Sequence, residues 1–245
     1  MNAQLSRKER RKMEREARAA EGFKPSAVEA PKLSYVKPIT VNQAKVFKAW
    51  FSGQHVAIFG CAGTGKSFIA SYLALNEREA KAAKKVLIVR STVPSRDQGF
   101  LPGTDAEKLA VYEPPYRAIV DDLFGRHGTY NRLKDTHALE FVSTSYLRGS
   151  TYNDTIFVVD EVQNMTMEEL DTVMTRVGQN SRVILMGDNK WQNDLKAKRQ
   201  VSCVDHCRAI VDRIPGFTVV EMGVGDIVRS GFVKDWIVAR EAGNE

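Results

Sequence analysis

The sequence predicts an α/β fold, a mostly parallel sheet with helices on both faces, and three observations predict it. Short apolar blocks recur along the chain: "HVAIFG", "KVLIVR", "ALEFVST", "TIFVVD", "RVILMGD" and "FTVVEM". Several are continuous β-branched runs without polar alternation, the pattern of strands covered on both faces. Helical patterns lie between several of them, and strand–helix alternation of this kind builds a doubly wound parallel sheet. The first block also breaks into glycines and opens directly into a helical pattern, as "HVAIFGCAGTGKSFIA", His55 to Ala70.

The elements follow in order. "SRKERRKMEREARAA", Ser6 to Ala20, has no apolar stripe to bury, so it reads as a solvated helix or an unfolded arm. Residues 1–40 carry +5 of the chain's net +6. That concentration suits an electrostatic arm for nucleic acid, or a solubilising tail. "GFKPSAVEAPKLSYVKP", Gly22 to Pro38, holds three prolines and reads as an extended linker. The expected organisation is therefore an arm and linker over 1–39, one domain over 40–240 and a short tail over 241–245. "TVNQAKVFKAWF", Thr40 to Phe51, predicts a helix with Val46, Phe47 and Trp50 inward. Residues 91–137, after the second strand, read as irregular and too long for a simple loop, hence functional. Strands are expected at Ala138–Thr144 and Thr155–Asp160, then a helix from Thr166 to Gly178. Thr166 with Glu169 three residues on is a capping box. The last two strands are Arg182–Asp188 and Phe217–Met222.

Composition narrows the function classes. No apolar run approaches the ~20 residues of a membrane span. The charged N-terminus has no apolar segment of a secretory signal, and its early glutamates argue against a transit peptide. Three cysteines, Cys61, Cys203 and Cys207, are an odd number, and one lies in the glycine-rich turn; a reducing, cytoplasmic setting is expected. "CVDHC" invites a zinc reading, but without a second pair at finger-like spacing small helix-facing residues fit better. His55, His127, His137 and His206 are scattered.

Gly60-x-x-x-x-Gly65-Lys66-Ser67 satisfies the phosphate-loop pattern in the context it needs, after a strand and opening a helix. Backbone N–H groups of Gly60, Cys61, Ala62, Gly63, Thr64, Gly65, Lys66, Ser67 and Phe68 are the candidate nucleotide cradle, aided by the helix N-terminus. Lys66 is expected to reach the β- and γ-phosphates of ATP, and the Ser67 hydroxyl to ligate Mg2+. In "IFVVDEVQN", Asp160 ends an apolar strand and is the candidate second metal ligand. Glu161, next in line, is the candidate base for an attacking water, which points to hydrolysis rather than transfer to a bound hydroxyl.

Asp-Glu-x-Gln, ending at Gln163 and followed a strand later by "MGDNKWQND", resembles the motor motifs of superfamily 1 helicases. That resemblance makes Gln163 and Gln192 candidate catalytic residues, Gln192 as the glutamine of the element that couples the γ-phosphate to a nucleic-acid track; Gln192 is reached by allowing one inserted residue, since strict spacing lands on Trp191. Gln43 looks like the glutamine that reads adenine in the same superfamily. "GFLPG", "YLRGSTYNDTIFVVDEVQN" and "GDIVRSGFV", in order over residues 40 to 240, are similar to the PhoH-like ATPases. The resemblance implies a single RecA-like domain that binds and hydrolyses ATP, with RNA binding and helicase-like activity in some members and compact forms common in bacteriophages.

Two functions follow as expectations. One is an ATPase stimulated by single-stranded RNA or DNA, supported by the arm, the basic cluster Leu195 to Gln200, and Phe100, Tyr112, Tyr116 and Tyr130 interleaved with Arg96, Arg117 and Arg126 as a base-stacking surface. The other is an ATP-dependent switch or assembly factor acting on a protein. A lone domain of this kind lacks the second domain that supplies an arginine to the γ-phosphate. A homo-oligomer is therefore expected, a hexameric ring favoured, with Arg229 reaching across the interface and Arg148 as the next candidate.

Overall fold

The computed structural model describes residues 31–91, 109–147, 149–188 and 202–242. The arm, Arg96, Phe100, Arg148, Gln192, the cluster Leu195 to Gln200 and the last residues of the tail lie outside them. Six strands form one sheet: β1 (His55–Gly60), β2 (Lys85–Arg90), β3 (Leu139–Ser143), β4 (Thr155–Asp160), β5 (Arg182–Gly187) and β6 (Phe217–Met222). Their order is β3-β2-β4-β5-β1-β6, and every neighbouring pair is parallel. All six expected strands are present, and the sheet is wholly parallel among the described residues.

Alternation along each strand divides the core. Val56 and Ile58 of β1 join one apolar cluster, while Ala57 and Phe59 join the other. The first cluster is closed by α1 (Val41–Phe51), α2 (Lys66–Glu79), α3 (Pro114–Leu123) and α4 (Thr129–Asp135); the second by α5 (Met167–Met174) and α6 (Val204–Val211). Both faces of the four central strands β2, β4, β5 and β1 are buried, which is why their sequences show no polar alternation, whereas the edge strands β3 and β6 are only partly covered. Val46, Phe47 and Trp50 of α1 point inward as the helical spacing requires. Cys203 and Cys207 are buried in the second cluster. Among the described residues there is no group of three or more His, Cys, Asp or Glu side chains that could hold a metal ion.

Three expectations need correcting. Leu33 and Val36 pack against the first cluster, and the Ser34 N–H donates to the Leu123 carbonyl at 2.8 Å, so the compact unit begins at Leu33 rather than at 40. The 91–137 stretch contains two helices among its described residues; α3 opens with Pro114 and Pro115 in its first turn, where a missing N–H costs nothing. The helix from Thr166 ends at Met174, and the chain then enters a bridge between Tyr152 and Val177: Tyr152 N–H donates to Arg176 O and Gly178 N–H to Tyr152 O, both at 2.9 Å. The capping box at its start is present as expected.

One more helix, α7 (Phe232–Ala242), follows β6 and buries none of its residues completely. Among the described residues no helix is long and apolar enough to cross a membrane.

Candidate active site

The strand ends on one edge of the sheet carry the site. β1 runs into the loop Cys61–Gly65, and α2 starts at Lys66. Gly60 has φ +135°, and a Cβ there would lie 1.9 Å from the Met222 carbonyl oxygen, so no side chain fits between β1 and β6. Gly63 has φ +77°, the left-handed region that glycine enters without strain. The loop is clamped from outside. The Val228 N–H donates to Gly63 O at 3.0 Å, and the Gln43 side-chain amide donates to Thr64 O at 3.1 Å. Asp226 anchors the Val228 segment by accepting from Asn42 Nδ2 at 2.7 Å and from the Gly223 N–H at 3.0 Å.

A cleft of about 510 Å³ opens over this loop and is lined by the loop, Ser67, Phe68, Asp160, Glu161, Gln163, Asp188 and Arg229 among others. Lys66 Nζ donates to Gly60 O (2.7 Å), Cys61 O (2.8 Å) and Asp188 Oδ1 (3.0 Å). Asp188 reaches it because β5 lies between β1 and β4, so the residue after Gly187 meets the phosphate loop directly. Asp160 lies two strands from β1 yet still faces the loop: Ser67 Oγ is 3.3 Å from Asp160 Oδ2. The same carboxylate oxygen accepts from the Tyr116 hydroxyl, and Asp160 Oδ1 accepts from the Glu161 N–H at 2.9 Å.

Glu161 adopts φ +55°, rare for a residue with a side chain and a marker of sites that hold strain for function. Gln163 Nε2 donates to Glu161 Oε2, while Gln163 Oε1 accepts the Asp188 N–H at 2.9 Å. Gln163 thus ties the end of β4 to the end of β5. The register of β2 against β4 sets Arg90 opposite Asp160, with its guanidinium 4.0 Å from Glu161 Oε1. Burial first, and the Asp160 charge second, push the Glu161 carboxyl up to about 7. Burial and the Asp160 charge also hold the Tyr116 hydroxyl well above its usual value, so it remains a donor.

An acid whose folded-state pKa exceeds its unfolded value binds more protons when folded. Glu161 therefore costs the folded protein stability as pH rises from 4.5 to about 7, and the cost persists above that window. Its ceiling is about 3 kcal/mol, at 1.36 kcal/mol per unit of pKa. In nucleotide-free protein with EDTA, Glu161→Gln is expected to melt about 5 °C or more above wild type at pH 8, with the gap shrinking at pH 5. A gap of the same size at both pH values would contradict this assignment, and differential scanning calorimetry decides it.

The structure brings together Gly60 through Phe68, Asp160, Glu161, Gln163 and Arg229. Gln43 is placed differently from the expectation. It is 3% exposed, and its amide is spent on the backbone, accepting from the Ile39 N–H at 2.8 Å as well as donating to Thr64 O. In that position it braces the phosphate loop. Arg229 lies at its own chain's cleft, with Cγ 3.1 Å from where a Gly63 Cβ would stand. The Val228–Gly63 hydrogen bond, at 3.0 Å, holds the neighbouring backbone there. Among the described residues Arg229 has no ion-pair partner, and Asp226, the obvious one, is engaged by Asn42 and Gly223.

The base-stacking surface is corrected too. Tyr116 and Tyr130 are 2% and 0% exposed, held in the core by Asp160 and Glu113 respectively. Sequence reasoning missed Arg90, Tyr116 and Asp188 as site residues. Asp188 had a signal, since it follows the "RVILMG" strand as Asp160 follows "TIFVV".

The PhoH-like protein family matches residues 35–241. A PhoH-like protein of Mycobacterium leprae is 33% identical over 206 residues, covering 83% of this chain and 58% of its own length. One from Bacillus subtilis is 31% identical over 206 residues, covering 84% of this chain and 64% of its own. The chain thus spans about three fifths of the length of these relatives. Among solved structures, a Sulfolobus solfataricus SWI2/SNF2 ATPase core in complex with dsDNA aligns over 78% of this chain and 46% of its own, at 12% identity and a TM-score of 0.46. On its phosphate loop, its two strand-end carboxylates and a family match over most of its length, this chain belongs to the PhoH-like family and is an α/β P-loop NTPase.

Proposed function

We propose that the protein hydrolyses ATP with Mg2+ and that single-stranded RNA or DNA stimulates it. The observation that carries the reading is the convergence of Lys66, Ser67, Asp160 and Glu161 on one cleft. Ser67 Oγ and the Asp160 carboxylate offer hard oxygen donors 3.3 Å apart, the donor type that magnesium takes, so the residues fit that ion. Bound there with the phosphates, the ion supplies charge neutralisation.

The chain's own residues do the rest. The loop N–H groups and the α2 N-terminus grip the phosphates. Lys66 exchanges its contacts with Gly60, Cys61 and Asp188 for phosphate oxygens. Glu161 accepts a proton from the water that attacks the γ-phosphorus, the bond to the β–γ bridging oxygen breaks, and ADP leaves. A carboxyl pushed up to about 7 suits a base working near neutral pH. Gln163 holds that carboxylate and senses the β5 end. Arg229 adds positive charge to a cleft where Lys66 faces Asp160, Glu161 and Asp188.

The basic arm supports the nucleic-acid half of the reading. Deleting residues 1–22 should weaken single-stranded RNA binding and flatten its salt dependence, by a log–log slope of about 0.7 for each phosphate that the arm neutralises. Basal ATP turnover should survive. Fluorescence anisotropy across a salt series checks it; an unchanged slope would make the arm a solubilising tail.

A second reading, an ATP-dependent switch acting on a protein, is favoured by Phe232 and Trp236, which stand 77% and 63% exposed on α7. ATP turnover measured with and without single-stranded RNA separates the two: stimulation supports the first, and an unchanged rate selects the second.

A further inference from the structure

The hydroxyl of Tyr116 has a use that packing does not explain. The ring is 2% exposed and packs against Phe141 at a centroid distance of 5.3 Å, a place that phenylalanine would fill equally well. The hydroxyl it carries instead needs a buried partner, and that partner is Asp160 Oδ2, the oxygen that also faces Ser67. Asp160 is thereby held at both ends: Oδ1 by the Glu161 N–H, Oδ2 by Tyr116. Arg90 stands in register with Asp160 at the end of β2.

We propose that Tyr116 is a positioning residue for magnesium, its hydroxyl fixing the Asp160 carboxylate in the orientation that meets Ser67 and the metal. The inference rests on the ATPase reading and deepens it. A carboxylate that ends a strand retains rotation about its last torsion; a donor on Oδ2 removes that freedom before the metal arrives. Outer partners of this kind are worth about 10–100-fold in metal affinity or activity. Tyr116 is not among the residues lining the cleft, and its hydroxyl meets Asp160, so its contribution acts through Asp160.

The test is the tightening of ADP binding by Mg2+, read by calorimetry as the ratio of affinity in Mg2+ to affinity in EDTA. The ratio is independent of how much of a variant is folded. Tyr116→Phe should lose about 10-fold or more of the tightening while binding ADP in EDTA as wild type does. Phe141→Leu, which disturbs the same packing but not the hydroxyl, should lower Tm and keep the wild-type ratio. If Tyr116→Phe keeps the ratio, or Phe141→Leu loses it equally, the positioning role is wrong while the ATPase reading stands. If wild type binds ADP no more tightly with Mg2+ than in EDTA, both are overturned.

Discussion

Lys66→Ala and Glu161→Gln should both abolish ATP turnover, yet part company in binding. Lys66 is the one side-chain cation rooted in the phosphate loop, already placed among Gly60 O, Cys61 O and Asp188. Removing it deletes a phosphate ligand and leaves Asp188 facing the phosphates without its counter-charge. Nucleotide affinity should fall by about 10-fold or more, since a hydrogen bond to a charged group is worth about 1.5–3 kcal/mol. Glu161 instead serves the water. Glutamine keeps the shape, so ATP should bind as tightly as to wild type, or more tightly, because a negative charge near the γ-phosphate is gone. The turnover loss expected of removing a general base is about 10²–10⁴-fold. Calorimetry with ATP on both variants decides the roles, and equal weakening in both would contradict them.

Arg229→Ala is expected to show the next largest effect. An arginine on the γ-phosphate contributes about 10³–10⁵ in rate whether it comes from the same chain or a neighbour. The position of Arg229 beside Gly63 of its own loop argues for the same chain. Mixtures of Arg229→Ala with Lys66→Ala subunits should therefore stay inactive, because neither chain holds a complete site. Arg229→Lys should recover part of the rate, since charge is kept and the planar fork is lost. Activity regained on mixing would show that Arg229 completes a neighbour's site.

How much of this was legible in the sequence depended on whether the signal was local. The phosphate loop was, because its function lies in backbone N–H groups and in glycines that the pattern names outright. Asp160 and Glu161 were, because a carboxylate after an unbroken apolar run can only stand at a strand end. The strand blocks and the α5 capping box were local patterns as well. What failed were relations set by tertiary path. Tyr116 and Tyr130, spaced among arginines, looked like a surface for bases; α3 and α4 instead turn both rings into the core, where Asp160 and Glu113 satisfy their hydroxyls. No local pattern states that β5 enters between β1 and β4, so Asp188 was not singled out.

ATP hydrolysis at the cleft formed by Lys66, Ser67, Asp160 and Glu161 is open to direct test. The most direct measurement is phosphate release from ATP by the purified protein with Mg2+, alongside Lys66→Ala and Glu161→Gln. Steady release by wild type, none by either variant and none in EDTA is the result expected. Release that persists undiminished in Lys66→Ala, or none from wild type with or without single-stranded RNA, would contradict it.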